Sequence, residues 1–240
     1  MPFQKLVSPS LTDLFVKQIE DMILSGELKP GDKLPTERQL AANMNVSLAV
    51  VNGGINRLES FGFLRIAPRK GVYVTDFVRE GNVYTLDAIL EFTGNFFSPE
   101  VFPYLAEYRR VTETLAIRDA VKNCTEENLA ALQALAEEFQ DCRNVDTAPQ
   151  IGYEYHHEMA ISTGNVVYPL MLANSREIYI RSYEAIFRVL GKEQYENFFL
   201  DMTEHLRNRD EEAALQCFQN YDDLWTRLYE EMQNNTRPIR

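Results

Sequence analysis

From Ile23 to Ala41 the chain reads Ile-Leu-Ser-Gly-Glu-Leu-Lys-Pro-Gly-Asp-Lys-Leu-Pro-Thr-Glu-Arg-Gln-Leu-Ala, and Val46-Ser47, Arg57-Leu58-Glu59, Gly62-Phe63-Leu64 and Gly71-Val72-Tyr73-Val74 follow at short intervals. These are short elements divided by turns. An amphipathic stretch from about Ser10 to Ser25 precedes Leu28-Lys29-Pro30-Gly31-Asp32, where Pro-Gly signals a turn. Thr36 is placed to cap a second helix, with Gln39 three residues on to complete a capping box. A third helical pattern follows Asn45 and runs to about Ser60. Two β-like runs, Phe63–Ile66 and Val72–Thr75, then flank Ala-Pro-Arg-Lys-Gly. Three helices followed by a two-stranded hairpin is the order of a winged helix-turn-helix.

Beyond Tyr84 the periodicity is helical throughout. The expected helices are Val83–Phe92, Pro99–Asn123, Glu126–Cys142, Ala148–Thr163, Val166–Leu190, Lys192–Asn208 and Glu211–Asn234. Thr125 caps the third of these and Gly164-Asn165 stops the fourth. Leu129, Leu132, Leu135, Ala136 and Phe139 recur at helical spacing, as one buried face requires. The expected fold is therefore mainly α, with a winged helix-turn-helix over residues 1–78 and an all-α antiparallel helical bundle over 79–240.

Charge divides at the same place. The 240 residues hold 24 Lys+Arg against 36 Asp+Glu, a net of −12, which on its face argues against phosphate binding. Residues 1–80, however, contain ten basic and nine acidic side chains, a net of +1, and the other 160 contain 14 and 27, a net of −13. The acidity belongs to the helical part. No apolar run approaches the ~18 residues of a membrane-spanning helix, and MPFQKLVSPS lacks a secretory pattern, so the expected location is the cytoplasm. Cys124, Cys142 and Cys217 are widely spaced, as free thiols in a reducing compartment would be.

The residues quoted from Ile23 to Val74 resemble the DNA-binding domain of GntR-family transcriptional regulators. The helical part resembles the effector domain of the FadR subfamily, most closely at Ser162-Thr163-Gly164-Asn165-Val166-Val167-Tyr168 and Ile178-Tyr179-Ile180-Arg181. The resemblance implies a DNA contact at Arg38 and entry of the wing tip, Arg69, Lys70 and Gly71, into the minor groove. It also implies major-groove reading from the start of the third helix, here Ser47, Leu48, Ala49 and Asn52.

At that helix the chain departs from the family pattern. Leu48 and Asn52 replace two expected arginines, and Gly53-Gly54 follow. An Arg bidentate to guanine is worth about 1–3 kcal/mol of discrimination, and two helical glycines cost about 1 kcal/mol each. Such a helix is expected to be poorly ordered without DNA. Three readings stay open: an operator read by Asn52, by thymine-methyl contacts of Ala49 or Leu48 and by the wing; weakened DNA binding; or lost DNA binding.

Many effector domains of this subfamily resemble one another in a metal site of one Asp and three His. Counted back from Gly164-Asn165, the first His position falls at His156 and the Asp position at Gly152; counted from Asp210, the other two fall near Phe199 and Tyr221, so three of four ligands are missing and no metal is expected. The metal-free, FadR-like form of the domain implies an acyl-CoA or organic-acid effector. The candidate effector-binding residues are Arg110, His156, Tyr179, Arg181 and Tyr221, with Arg110 suited to pair bidentately with a carboxylate or phosphate.

The chain has no Gly-x-Ser-x-Gly, no His-Glu-x-x-His and no Gly-rich phosphate loop. The expectation is a ligand-responsive repressor rather than an enzyme, with a double-stranded DNA operator, a small-molecule effector and a second copy of itself as partners. The alternative is a ligand-binding or protein-interaction module of the same fold with weakened or lost operator binding.

Overall fold

The computed structural model describes residues 9–93, 98–99, 101–195 and 197–235. The chain forms two compact units, Met1–Gly94 and Asn95–Arg240, each with its own apolar core.

The first unit begins with helix α1, Leu11–Leu24, whose N-terminus is closed by a reciprocal capping box between Ser10 and Asp13. Helix α2, Glu37–Met44, starts with the expected Thr36–Gln39 box. Asn45 ends it at φ 51°, a left-handed conformation that Asn tolerates. Helix α3, Leu48–Ser60, follows at once with Ser47 as its N-cap. Strands β1, Leu64–Ala67, and β2, Gly71–Val74, then pair antiparallel with Leu64 opposite Val74 and Ala67 opposite Gly71. Residues 31–34 add to the outer edge of β2 through Leu34 N–H to Val72 O at 2.9 Å and Val74 N–H to Asp32 O at 2.9 Å.

Gly54 changes the meaning of the glycine pair. A Cβ there would lie 2.2 Å from Phe15 Cδ1, so the missing side chain is what lets α1 seat its ring on α3. Val51, Ile55 and Leu58 fill the rest of that contact. Phe15 against Gly54 gives α3 a buried contact that the glycine pair by itself does not announce.

A short helix, α4, Phe77–Glu80, and helix α5, Val83–Thr93, complete the unit. Helix α4 is not among the expected helices, although Asp76 caps its start and Gly81 ends it. Thr85 donates to Phe61 O at 2.5 Å, Asn82 Nδ2 donates to Ser60 O at 2.9 Å, and Ala88 joins the core with Phe15 and Ile19. These bonds tie α5 to the end of α3.

The second unit comprises α6, Phe102–Asn123; α7, Glu126–Asp141; α8, Ala148–Ser162; α9, Val167–Asn174; α10, Arg176–Leu190; α11, Phe198–Arg207; and α12, Glu211–Asn235. Two expected single helices are broken. Val166–Leu190 divides at Ser175, where Asn174-Ser175 are both weak helix formers. Lys192–Asn208 becomes a 3-10 turn, Lys192–Tyr195, and then α11. Residue 196 lies outside the described residues, as does residue 100 in the expected Pro99–Asn123 helix.

Two cations close helix ends inside this bundle. Lys192 Nζ donates to Phe139 O at 2.8 Å and Gln140 O at 3.3 Å, at the end of α7. Arg209 donates to Val121 O at 2.7 Å and to Cys124 O, at the end of α6. Orphan C-terminal carbonyls and the negative end of the helix dipole favour both contacts. The core holds Tyr155, Tyr183, Phe139, Phe198 and Phe199, all almost fully buried.

Candidate nucleic-acid interface and effector cavity

Packing decides which face of α3 is free. With Val51, Gly54, Ile55 and Leu58 turned inward, Leu48, Ala49, Asn52, Gly53 and Asn56 are exposed. Ser47 is exposed as well, its hydroxyl accepting from Val50 N–H at 3.3 Å. Asn56 was not among the candidates from sequence, although it lies one turn beyond Asn52 on the same face.

The unneutralised cations gather at one set of loops. Lys17 pairs with Asp21 and Glu91, Arg57 with Asp13 at 2.6 Å, Arg65 with Glu80 and Arg79 with Asp76. Among the described residues of the first unit, Lys29, Lys33, Arg38, Arg69 and Lys70 have no carboxylate partner. They stand in the turn before α2, in its first turn and at the hairpin tip. Charges left free of internal partners are the ones available to phosphates.

The hairpin tip is built for exposure. Lys70 N–H closes a turn onto Ala67 O at 2.9 Å, and Arg69 takes φ 64°, the sign the third position of a type II turn requires. Gly71, at φ 121°, leaves room for Lys33, whose Cε would lie 2.6 Å from a Cβ at that position. Lys33 Nζ also stands 5.9 Å from the Tyr73 ring centre, and Tyr73 OH donates to Lys70 O at 3.3 Å. Lys33 is thus held beside Arg69 and Lys70, a placement the sequence alone does not show.

In the helical unit a polar cluster is sealed inside the bundle. Glu113 on α6 and His156 on α8 are 3% and 1% exposed, and His156 Nδ1 lies 3.1 Å from Glu113 Oε1, off the line of a hydrogen bond. Tyr179 OH donates to Glu113 Oε1 at 2.6 Å, and Tyr183 OH is 2.7 Å from His156 Nε2. Burial pushes the Glu113 carboxyl up, but His156, Arg109 and the Tyr179 hydroxyl outweigh it and hold it down to about 2. Burial raises both phenols well above their ordinary range, so they are neutral donors. Asp222 on α12 receives Arg109 at 3.2 Å and Arg110 at 2.6 Å.

Beside this cluster lies a cavity of about 70 Å³. Glu113, His156 and Tyr179 form its polar end, and Ala116, Met159, Ala160, Met171 and Leu172 are among its apolar walls. Helix α9, on one side, has no buried residue.

Residues 13–74 match the model of the GntR family, bacterial regulatory proteins, and residues 75–237 match the model of the FadR C-terminal domain. The chain belongs to the GntR family and carries a FadR-type domain. It is a DNA-binding transcription regulator and not an enzyme. It is similar to the fatty acid metabolism regulator protein of Shewanella pealeana, 29% identical over 165 residues, 69% of this chain and 67% of that one. It is 24% identical to that of Proteus mirabilis over 217 residues, 90% of this chain and 89% of the relative. With that of Shewanella oneidensis it shares 25% over 228 residues, 91% and 92% of the two chains. A solved structure of Lar, described as controlling expression of the Listeria monocytogenes agr system, is similar in fold. Its TM-score is 0.62 at 16% identity, covering 94% of this chain and 99% of that one.

The residues of this FadR-type domain do not fit the metal found in many of its kin. A Cβ on Gly152, where the Asp ligand would stand, would lie 2.9 Å from the Tyr183 ring. Phe199 and Tyr221 occupy the other ligand positions, packed on Tyr155 and Phe198 with ring centres 4.5 Å apart in each case. Among the described residues no group of three or more His, Cys, Asp and Glu side chains could hold a metal ion. Tyr183 takes the space of a ligand and spends its hydroxyl on His156.

Of the five candidate effector residues in the FadR-type domain, the structure brings two, His156 and Tyr179, to the cavity. Arg110 pairs with Asp222 away from it, and Arg181 is half-buried on α10 outside its lining. Tyr221 lines a separate open groove with His205 and Cys217. Glu113 is the cavity residue that sequence reasoning missed. Its one local signal is Arg109 four residues earlier; its partners on α8 and α10 lie at sequence distances that a single sequence does not connect.

Among the described residues no helix is long and apolar enough to cross a membrane.

Proposed function

We propose that this chain is a ligand-responsive repressor of a fatty acid metabolic operon, working in the cytoplasm as a homodimer on a pseudo-palindromic operator. A two-fold operator and a two-fold protein imply one another. The shared naming of the curated relatives supports the metabolic assignment. Arg38, Ser47, Ala49, Asn52, Arg69, Lys70 and Gly71 are the proposed DNA contacts, and residues 79–240 the proposed effector domain.

The observation that carries the choice of effector is the charge at the cavity. Its polar end presents an ionised Glu113, already engaged by Tyr179 and His156, against apolar walls. A free carboxylate placed there would meet the like charge of Glu113, whereas an acyl chain meets apolar surface. This favours the acyl-CoA class over a small organic acid. At about 70 Å³ the cavity falls well short of the ~300–1,000 Å³ of a ligand pocket, so an acyl chain requires a wall to move. Helix α9, with nothing buried, is the wall that moves at least cost.

Titration calorimetry with a long-chain acyl-CoA, the matching free fatty acid and a short dicarboxylate tests the reading. Saturable binding of the acyl-CoA with release of bound DNA is expected. Binding of the dicarboxylate alone, or of none of the three, overturns it.

A further inference from the structure

The outward face of α3 carries no cation free of an ion pair. Leu48, Ala49, Asn52, Gly53 and Asn56 are exposed on it, and Arg57, Glu59 and Ser60 are exposed toward its C-terminal end. Arg57, the nearest basic side chain on the helix, is turned to α1, where it pairs with Asp13 at 2.6 Å and lies 5.3 Å from the Phe61 ring centre. Guanine is read in the major groove mainly by Arg or Lys donating to O6 and N7, and nothing on this face can do so.

What the face does carry is a pair of carboxamides and two apolar side chains. Asn52 and Asn56 are exposed, and among the described residues neither amide has a hydrogen-bond partner. An Asn amide matches adenine, its oxygen accepting from N6 and its nitrogen donating to N7; Ala and similar small apolar groups match the thymine methyl. The two asparagines are four residues apart, about 6 Å along the axis, close to two base steps of about 3.4 Å each. Gly53, exposed between them, has nothing nearer its Cβ position than Thr12 Cγ2 at 3.7 Å, so the backbone itself can approach the bases.

We propose that α3 reads A·T pairs, with Asn56 acting beside Asn52 as a second adenine-reading residue and Ala49 and Leu48 facing thymine methyls. The wing agrees with this. Arg69 and Lys70 project from the hairpin tip without internal partners, and a narrow A·T minor groove has the strongly negative potential that attracts such side chains. The operator core is therefore A·T-rich in both grooves. This inference rests on the DNA-binding reading of α3 and names the base chemistry that reading leaves open.

The test is selection of duplexes from a randomised library by the full chain, followed by affinity measurements on the selected site. A·T pairs should be enriched at the positions under each half-site. Replacing one of them by G·C should weaken binding about 10- to 100-fold. Asn56→Ala should weaken the selected site by a similar factor and erase the A·T preference at one position while leaving the others intact, with an unchanged melting curve. Substituting 7-deazaadenine at that position should reproduce the loss in the wild-type chain and add nothing to the variant. Enrichment of G·C, or an Asn56→Ala variant with undiminished preference at every position, overturns the proposal. Recovery of no duplex at all overturns the DNA-binding reading of α3 and this inference together, an outcome distinct from the other two.

Discussion

The Phe15 ring lies within 2.2 Å of the point where a Cβ on Gly54 would stand. One absent side chain on α3 thus sets how closely α1 packs against it. The neighbouring Gly53 carries no such constraint, its Cβ position meeting only Thr12 at 3.7 Å. Gly54→Ala is expected to destabilise the first unit by about 1–3 kcal/mol through overpacking. Gly53→Ala should stabilise it by up to about 1 kcal/mol by removing helical glycine. Urea unfolding of both variants checks the pair of signs.

Glu20 on α1 is buried near Lys17 and Asp21 on its own helix, Glu91 on α5 and Arg57 on α3, with Asp87 of α5 lining the same crevice. Burial pushes its carboxyl up to about 7 from an ordinary 4.5. The folded state then holds a proton that the unfolded state releases. The resulting penalty is absent below about pH 4.5, grows as pH rises and is complete above about 7. Glu20→Gln should therefore stabilise the first unit by about 2–3 kcal/mol more at pH 8 than at pH 4.5, read from denaturation at the two pH values.

The opposite sign holds in the bundle. Glu113 is held down to about 2 in the folded state, so its contribution is full above about pH 4.5 and is lost as pH falls toward 2. Tyr179→Phe removes the hydroxyl that donates to Glu113 at 2.6 Å. The variant should lose about 1–3 kcal/mol and unfold at a higher pH on acid titration. Trp225, the single tryptophan, lies in this unit and reports the transition by fluorescence.

On DNA, Arg69→Ala with Lys70→Ala should weaken binding to all sequences and reduce the slope of log K against log salt by about 2 for each protomer bound, about 4 for the proposed dimer, at about 0.9 per phosphate contact. Arg65→Ala is the control, because Arg65 is already paired with Glu80. An unchanged slope in the double variant removes the wing from the interface.

Much of the first unit was legible because its signals are local: Thr36 with Gln39 marks a helix start, and Pro68 to Gly71 marks a hairpin. The role of Gly54 was not, since it depends on Phe15, 39 residues earlier in the chain. Periodicity ran α9 into α10 because Ser175 interrupts the helix without a Gly or Pro to announce it. In the bundle, His156 and Tyr179 stood out as polar residues on apolar helices, but the group joining them, Glu113, resembles any of the chain's many surface acids until its partners are in space. The halves of the net charge keep their separate meanings: near-neutral where free cations gather at the wing, acidic where carboxylates face water.

Replacing Gly152 by Asp, to restore the family's metal ligand, should destabilise the bundle without creating a metal site, because Tyr183 fills the space and Phe199 and Tyr221 supply no donors at the other positions. Equilibrium dialysis against Zn²⁺ together with thermal melting checks both halves of the statement.

The proposed function requires the cavity and the proposed DNA-binding face to be coupled. Fluorescence anisotropy of a library-selected duplex, titrated with the chain at several fixed concentrations of a long-chain acyl-CoA, measures that coupling directly. The expected result is a DNA affinity that falls at least about 5-fold at saturating acyl-CoA, with acyl-CoA affinity falling by the same factor when DNA is bound. Affinities for the two ligands that are independent of each other would contradict it.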